Sequence, residues 1–452
     1  RERDYAYAGS FYMFAIWIGF AVMWLYKVLS KLLSGKGFAP ALAASALCLF
    51  VPALMAQQNW DDHDRSDRYS CRDFGANYLK SCETDGIIYS NGDNDTFPLW
   101  YNQEVEGVGT DIRVCNLSYL QTDWYISQMK RPYYTSSALP ISWEQKDFMP
   151  GKNEVVWIDN KIGTALDVKT AFDFVRSENP KTKRDGDSYI PSDKLYIPIN
   201  REDLIGTEWE EADIPDNARM DIKTKRRLTR SEMMVLEMIS QAKWKRPIYF
   251  AVTVGNDYYQ GLEKYFELTG LAYHVTPIAS ADGQPRVNTA AMYENMLHRF
   301  RYGNMNKPGI YIDENLARMC RTHRMMFAQL AEALEREGEK EKAVEVLDFA
   351  EEQLPEYNLP YDYTSATMAQ TYYRCGEKEK ANHIMQRVAD TNIEYLAWGA
   401  SLDKQTRKAM QQTLGHHAAV LGYVLQTFER QKEMELLEKY YPIYAQYSEI
   451  IK

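Results

Sequence analysis

The chain has 452 residues, a formal net charge of −10 and 45% hydrophobic residues. That length accommodates two or three domains, and the acidic balance argues against nucleic acid as a partner, because phosphate binding needs a basic face. Aromatic residues reach 13%, with 33 Tyr and 10 Trp, a composition that suits stacking on sugars, a membrane interface or an aromatic-heavy core. The sequence opens Arg1-Glu2-Arg3-Asp4 and is read as part of a longer protein. Its six cysteines, at 48, 71, 82, 115, 320 and 375, show neither CxxC nor zinc spacing. Cys71 and Cys82 are candidates for pairing in an oxidising compartment; the plainer reading is buried free thiols.

Ser10 to Tyr26 is almost wholly apolar and, with Tyr5 to Ala8 before it, reaches the roughly 20 residues that span a bilayer. A second apolar run extends from Phe38 to Ala56. The loop between them carries Lys27, Lys31 and Lys36 and no acid, so the positive-inside rule makes it cytoplasmic. Residues 1–58 are therefore expected to form two transmembrane helices, with everything after about residue 57 exported. At the junction, Asp61, Asp62, His63, Asp64 and Arg65 are consecutive. Such groups are costly to bury and easy to solvate. They are candidates to ligate a metal or hold a polar head group; the plainer reading is a solvated cap.

From residue 59 to 285 strand-like and helix-like stretches alternate. Helices are expected over Asp73–Cys82, Thr96–Val105, Leu120–Met129, Ala165–Arg176 and Met233–Ala242, the last opened by a capping box at Thr229-Arg230-Ser231-Glu232. Strands are expected over Gly86–Ser90, Asp111–Leu117, Glu154–Ile158, Lys194–Ile199 and Arg246–Val252. This alternation predicts an α/β domain with a mainly parallel sheet. Glu178–Asp193 is expected to be a mobile insertion, and Gly206–Thr224 a polar loop.

Residues 286–452 read as helices only: Met292–Tyr302, Glu314–Glu337, Gln412–Glu429 and Lys432–Ser448 among them. Gly338-Glu339-Lys340-Glu341-Lys342-Ala343 recurs letter for letter as Gly376-Glu377-Lys378-Glu379-Lys380-Ala381. A helix, a Gly turn and an early Ala in the next helix match an all-α tetratricopeptide-like array, a surface for a protein partner.

The chemistry centres on Ile87 to Tyr101, a short apolar run followed by Ser90-Asn91-Gly92-Asp93-Asn94-Asp95-Thr96-Phe97-Pro98-Leu99-Trp100. Strand ends of this kind hold ligands in open α/β sheets. Asp93 and Asp95 form an Asp-x-Asp that in nucleotide-sugar transferases holds Mg²⁺ or Mn²⁺, so a divalent cation is one expected cofactor. The plainer reading is an Asx turn with a helix N-cap at Asp95 or Thr96. Asn91, Asn94 and Trp100 complete the candidate binding set with Asp93 and Asp95. Val254 to Tyr259, after the last strand, either lines the same cleft or is an ordinary Gly-Asn turn, the plainer reading. No nucleophile elbow, P-loop, dinucleotide fingerprint or HExxH occurs. His274, His298, His323, His383, His416 and His417 lack ligand spacing and are read as structural.

The run Asn59 to Ser66, then Asn91 to Tyr101, then Asn116-Leu117-Ser118 with Thr122-Asp123-Trp124-Tyr125, resembles a bacterial family of multi-pass membrane proteins of unassigned function, related to the eukaryotic transmembrane O-mannosyltransferases. The resemblance covers essentially the whole chain. It implies a GT-C glycosyltransferase of the bacterial inner membrane, with the residues after about 57 in the periplasm and a polyprenyl-phosphate sugar as donor. In that class a catalytic carboxylate lies in an early exported loop, so no catalytic base is assigned here. A looser likeness is to the oligosaccharyltransferase catalytic subunit, where a strand leads into a Trp-Trp-Asp-Tyr-Gly acceptor motif; Asp93 stands where that motif has Asp, but the two Trp are absent.

The leading expectation is the C-terminal part of a membrane glycosyltransferase moving a lipid-linked sugar to an exported protein or glycan. The alternatives are a non-catalytic membrane-anchored scaffold whose repeats assemble an envelope complex, and an Asp-x-Asp metal-dependent transferase contained in this chain.

Overall fold

The computed structural model describes residues 4–32 and 37–451, in two compact units, Arg1–Ser66 and Asp67–Lys452. In the first, helix α1 (Ala8–Leu32) packs on helix α2 (Phe38–His63). Both contain a stretch long and apolar enough to cross a membrane, Ala8–Leu32 and Phe38–Trp60. Phe11, Trp17, Phe20, Trp24, Leu49 and Phe50 all point outward. Water does not tolerate so continuous an apolar surface, whereas helices satisfy their own backbone inside lipid. The pair fits a membrane anchor. Lys27 and Lys31 lie in the last turns of α1; Lys36 lies outside the described residues.

In the second unit, helix α3 (Ser70–Lys80) precedes a central six-stranded sheet, whose strands we number in chain order: β1 Ile87–Ser90, β2 Arg113–Asn116, β3 Ile248–Ala251, β4 Phe266–Leu268, β5 Ala272–Val275 and β6 Arg286–Val287. Their spatial order is β6-β4-β5-β3-β1-β2. β1 is parallel to both β2 and β3, but β5 is antiparallel to β3 and to β4. The expected mainly parallel sheet is thus corrected to a mixed one. The β4–β5 pair is antiparallel for a local reason, since only three residues, Thr269 to Leu271, separate the two strands, far too few for a parallel crossover. Two smaller mixed sheets lie between β2 and β3 in sequence, one of four strands and one of three.

Two further expectations are corrected. Glu178–Asp193, expected as a mobile insertion, carries regular structure: Lys183–Arg184 and Asp187–Ile190 pair as an antiparallel hairpin around Asp185 and Gly186, both at positive φ (52° and 91°). That is the backbone of a two-residue Asp-Gly turn. Gly206–Thr224 contains a strand, Arg219–Ile222, antiparallel to Leu195–Pro198.

The core is built on β1 and β3, where Ile87, Ile88, Tyr89, Tyr249 and Phe250 are fully buried. The Thr229 capping box forms as expected, with Glu232 Oε2 accepting from the Thr229 N–H at 2.8 Å. It opens the helix Arg230–Ala242, buried on every side from Arg230 to Ile239, as expected of a helix inside a core.

After Asn288 the described residues form helices joined by turns and loops, the longest of them spanning residues 300–313. Glu314–Arg336 packs on Lys340–Gln353 and Tyr363–Cys375, then Lys378–Ser401 on Gln411–Gln431, and that on Met434–Ile451. The duplicated hexapeptides fall at equivalent places. Each makes the turn between paired helices, with Ala343 and Ala381 fully buried.

Candidate functional site

Because β1 lies between two strands parallel to it, the carboxyl ends of β3, β1 and β2 open on one edge of the sheet, where ligands settle in α/β folds. The chain leaves β1 through Asn91 and Gly92 into helix α4 (Asp93–Tyr101). Gly92 is the N-cap at φ 78°, a conformation that favours glycine. The helix therefore starts at Asp93, earlier than the cap expected at Asp95 or Thr96. Thr96 Oγ1 donates to Gly92 O at 2.8 Å and accepts from Asn116 Nδ2 at 2.8 Å. Asn116 Oδ1 accepts the N–H groups of Ser118 and Tyr119 at 2.9 and 3.1 Å, and Ser118 Oγ donates to Asn91 Oδ1 at 2.8 Å. Asn116 thereby ties the loops after β1 and β2 into one edge.

The two carboxylates of the Asp-x-Asp diverge, as residues two apart on a helix must. Asp93 Oδ1 accepts from Tyr119 OH at 3.1 Å, and this bond holds the Tyr119 phenol above its usual range. Asp95 turns instead to the Thr253 hydroxyl, just beyond β3, near buried Tyr78. Burial raises the Asp95 carboxyl, partly offset by the Thr253 hydrogen bond. The segment Val254 to Tyr259, read as an ordinary turn, begins next to Thr253 on this same edge.

An aromatic shelf borders these groups. Phe97 and Trp100 stack at 5.5 Å and 23°, Trp100 and Tyr119 at 6.2 Å and 25°, and Trp124 lies 6.0 Å from Tyr119. Phe97 is 48% and Trp124 54% exposed. Trp100 also lines a cavity of about 250 Å³ with Glu104, Arg113, Tyr125 and Tyr133. There Arg113 is buried, its Nη2 donating to Gln128 O and Arg131 O at 3.0 and 2.8 Å. Glu104 accepts from Tyr133 and Tyr134 at 2.7 and 2.6 Å. Aromatic faces beside a carboxylate and amides supply stacking for a ring and hydrogen bonds for its hydroxyls.

Asn94 sits exposed on the first turn of α4. The junction residues belong to the other unit. His63 Nδ1 lies 2.8 Å from Asn59 O at the end of α2, and Arg65 Nη1 donates to Asp64 O at 3.1 Å. Hydrogen bonds from the hydroxyl and the N–H of Ser66 hold the Asp64 carboxyl below its usual range. The side chains of Asp61 and Asp62 lie outside the described residues.

Away from this edge, three side chains converge that the sequence reading left apart. Ligand atoms of Glu83, Glu208 and His274 all lie within 4.8 Å of one another. Glu83 precedes β1, Glu208 belongs to the polar segment after residue 206, and His274 is in β5 opposite Tyr249. The His274 ring stacks on Tyr249 at 4.6 Å. Burial, then Arg286, pulls its imidazole down to about 4, whereas burial and neighbouring carboxylates raise Glu83 and Glu208. No spacing signal exists for ligands drawn from three distant segments. All six cysteines, Cys71 and Cys82 included, are free thiols.

Residues 71–292 match the family model of TMEM260-associated domain 2. That span holds the edge, the shelf and the three converging side chains. No curated protein and no solved structure matches the chain.

Proposed function

We propose that this chain is the membrane-anchored acceptor side of a glycosyltransferase. The edge at Asn91 to Trp124 holds a glycan or an exported protein that receives a sugar from a polyprenyl-phosphate carrier. The aromatic shelf of Phe97, Trp100, Tyr119 and Trp124, edged by Asp93, is the observation that carries this reading. The two membrane-length helices and the match to a TMEM260-associated domain support it, as does the likeness to O-mannosyltransferase relatives. Trp100 and Phe97 stack on the acceptor, Asp93 and Asn91 bond its hydroxyls, and Asn116 holds their loops in register. No residue of the chain is assigned as the catalytic base.

The test is sugar transfer in proteoliposomes by the intact membrane protein containing this chain, using polyprenyl-phosphate sugars. Trp100→Ala and Asp93→Ala are expected to raise the acceptor KM about tenfold or more with kcat much less affected, the signature of lost binding. Unchanged KM in both variants would overturn the acceptor site. Absence of transfer by the unaltered protein would instead favour the scaffold, with the helical repeats as its working surface.

A further inference from the structure

The geometry points to a second site at the far end of the central sheet: Glu83, Glu208 and His274 hold a divalent first-row transition ion of the Zn²⁺ type. The two sites share no residue.

Three observations converge. The first is proximity, since one nitrogen and two carboxylate oxygens lie within 4.8 Å of one another. Donors on a tetrahedral ion with bonds of about 2.0–2.2 Å stand roughly 3.5 Å apart. Both glutamates are exposed and long, so rotamer adjustments of about 1 Å close the set. The second is the state of His274. It is only 5% exposed, and among the described residues its ring nitrogens make no hydrogen bond. Its nitrogens are not sealed from solvent, so an imidazole that faces two carboxylates without a protein partner is open to a ligand. The third is room and charge. A cavity of about 30 Å³, the volume of a single water, adjoins Glu208, Trp209 and His274. The neighbouring cations are committed elsewhere. Arg246 pairs with Asp85 at 3.3 Å and donates to Ala138 O, while Arg286 pairs with Glu267 at 3.5 Å. Among the described residues no Lys or Arg forms an ion pair with Glu83 or Glu208.

A donor set containing imidazole selects against hard cations: carboxylates alone suit Mg²⁺, whereas nitrogen favours Zn²⁺, with Mn²⁺ weaker. The ion would clamp three segments far apart in sequence, pinning the loop that carries Glu208 onto β5 and the turn that enters β1. Three protein ligands leave a fourth position for water.

The test uses the full, tag-free chain in detergent, stripped with chelator, and measures Zn²⁺, Mn²⁺ and Mg²⁺ binding by competition with a chromophoric chelator. Visible absorption after Co²⁺ loading reports the coordination geometry. One equivalent of Zn²⁺ is expected, bound more tightly than Mn²⁺, with negligible Mg²⁺. Glu83→Gln and Glu208→Gln, both at exposed positions, are each expected to weaken Zn²⁺ about tenfold or more, with melting unchanged in the metal-free state. His274→Gln is expected to abolish the preference for Zn²⁺ over Mg²⁺. If that variant fails to fold, the two glutamate variants decide alone. Zn²⁺ binding that is absent, or unaltered in both glutamate variants, overturns the site.

Discussion

His323 shows how a buried imidazole couples the helical array to the sheet domain and makes stability depend on pH. It sits on the helix Glu314–Arg336, 1% exposed, with its ring 4.1 Å from Phe74 of α3. Its Nδ1 lies 2.9 Å from Met319 O, so the proton resides there and Nε2 accepts from Asn77 Nδ2 at 3.4 Å. Burial lowers the imidazole from its usual 6.5 to about 4, and the Met319 carbonyl opposes that only in part. Between pH 4 and 6.5 the unfolded chain binds the proton and the folded chain does not. The contribution is therefore complete above pH 6.5 and is lost as pH falls towards 4, on the order of 3 kcal/mol. Urea unfolding at pH 7, 5.5 and 4.5 should show His323→Leu losing less stability on acidification than the unaltered protein. Parallel curves would refute the assignment. His274 titrates alike in both proteins and cancels in the comparison. At this scale the sequence showed what each residue was but not what it faced. Asp93 and Trp100 were legible because they follow an obvious strand. Tyr119, Glu83 and Glu208 were not, because their importance comes from contacts across loops.

Among elements, α3 and α4 cross so closely that one hydrogen decides the contact. A Cβ at Gly75 would meet Pro98 O at 2.5 Å and Asn102 Nδ2 at 2.6 Å. Asn102 is not free to withdraw, since its amide donates to both Arg72 O and Pro98 O at 2.8 Å. Gly75→Ala should therefore destabilise by about 1–3 kcal/mol, despite the roughly 1 kcal/mol by which alanine outranks glycine in a helix. Gly415 on Gln411–Gln431 is the counter-case: nothing lies within 4 Å of its Cβ position, so Gly415→Ala should stabilise by about 0.5–1 kcal/mol. Opposite shifts in thermal melting are expected; stabilisation by both substitutions would show that helix propensity, not the crossing, controls the Gly75 position. Elements were legible where the signal is local. The Thr229 box and the duplicated Gly-Glu-Lys-Glu-Lys-Ala mark helices through their own side chains. The hairpin at Asp185-Gly186 carried an equally local signal, outweighed by the surrounding charge, yet charged residues are normal on the open edge of a hairpin. The antiparallel joint at β5 had no such mark. Tyr249, Phe250 and Ala251 are buried whichever way their neighbour runs, and hydrophobicity does not encode strand direction.

On the scale of the whole molecule, the chain's apolar surface is unevenly divided. The helices α1 and α2 present theirs outward, whereas Asp67–Lys452 buries a continuous core from Phe74 to Tyr440. The composition alone averaged these two regimes, and only the order of residues separated them. Within the larger unit, the sheet domain and the helical array are joined by specific polar contacts as well as packing. Arg68 pairs with Asp313 at 2.9 Å, Asp73 Oδ2 accepts from the Gly303 N–H at 3.1 Å, and Asn77 reaches both Arg301 O and His323. Thr289 Oγ1 donates to Glu337 at 3.0 Å across the start of the array. Elements that share buried residues in this way open together, because exposing one face strands the other. A fragment of residues 67–452 should therefore remain soluble without detergent and melt in a single transition, with far-UV and aromatic signals coincident. Two resolved transitions would show that the array is an independent domain. Aggregation at low concentration would show that the larger unit depends on the helices before it.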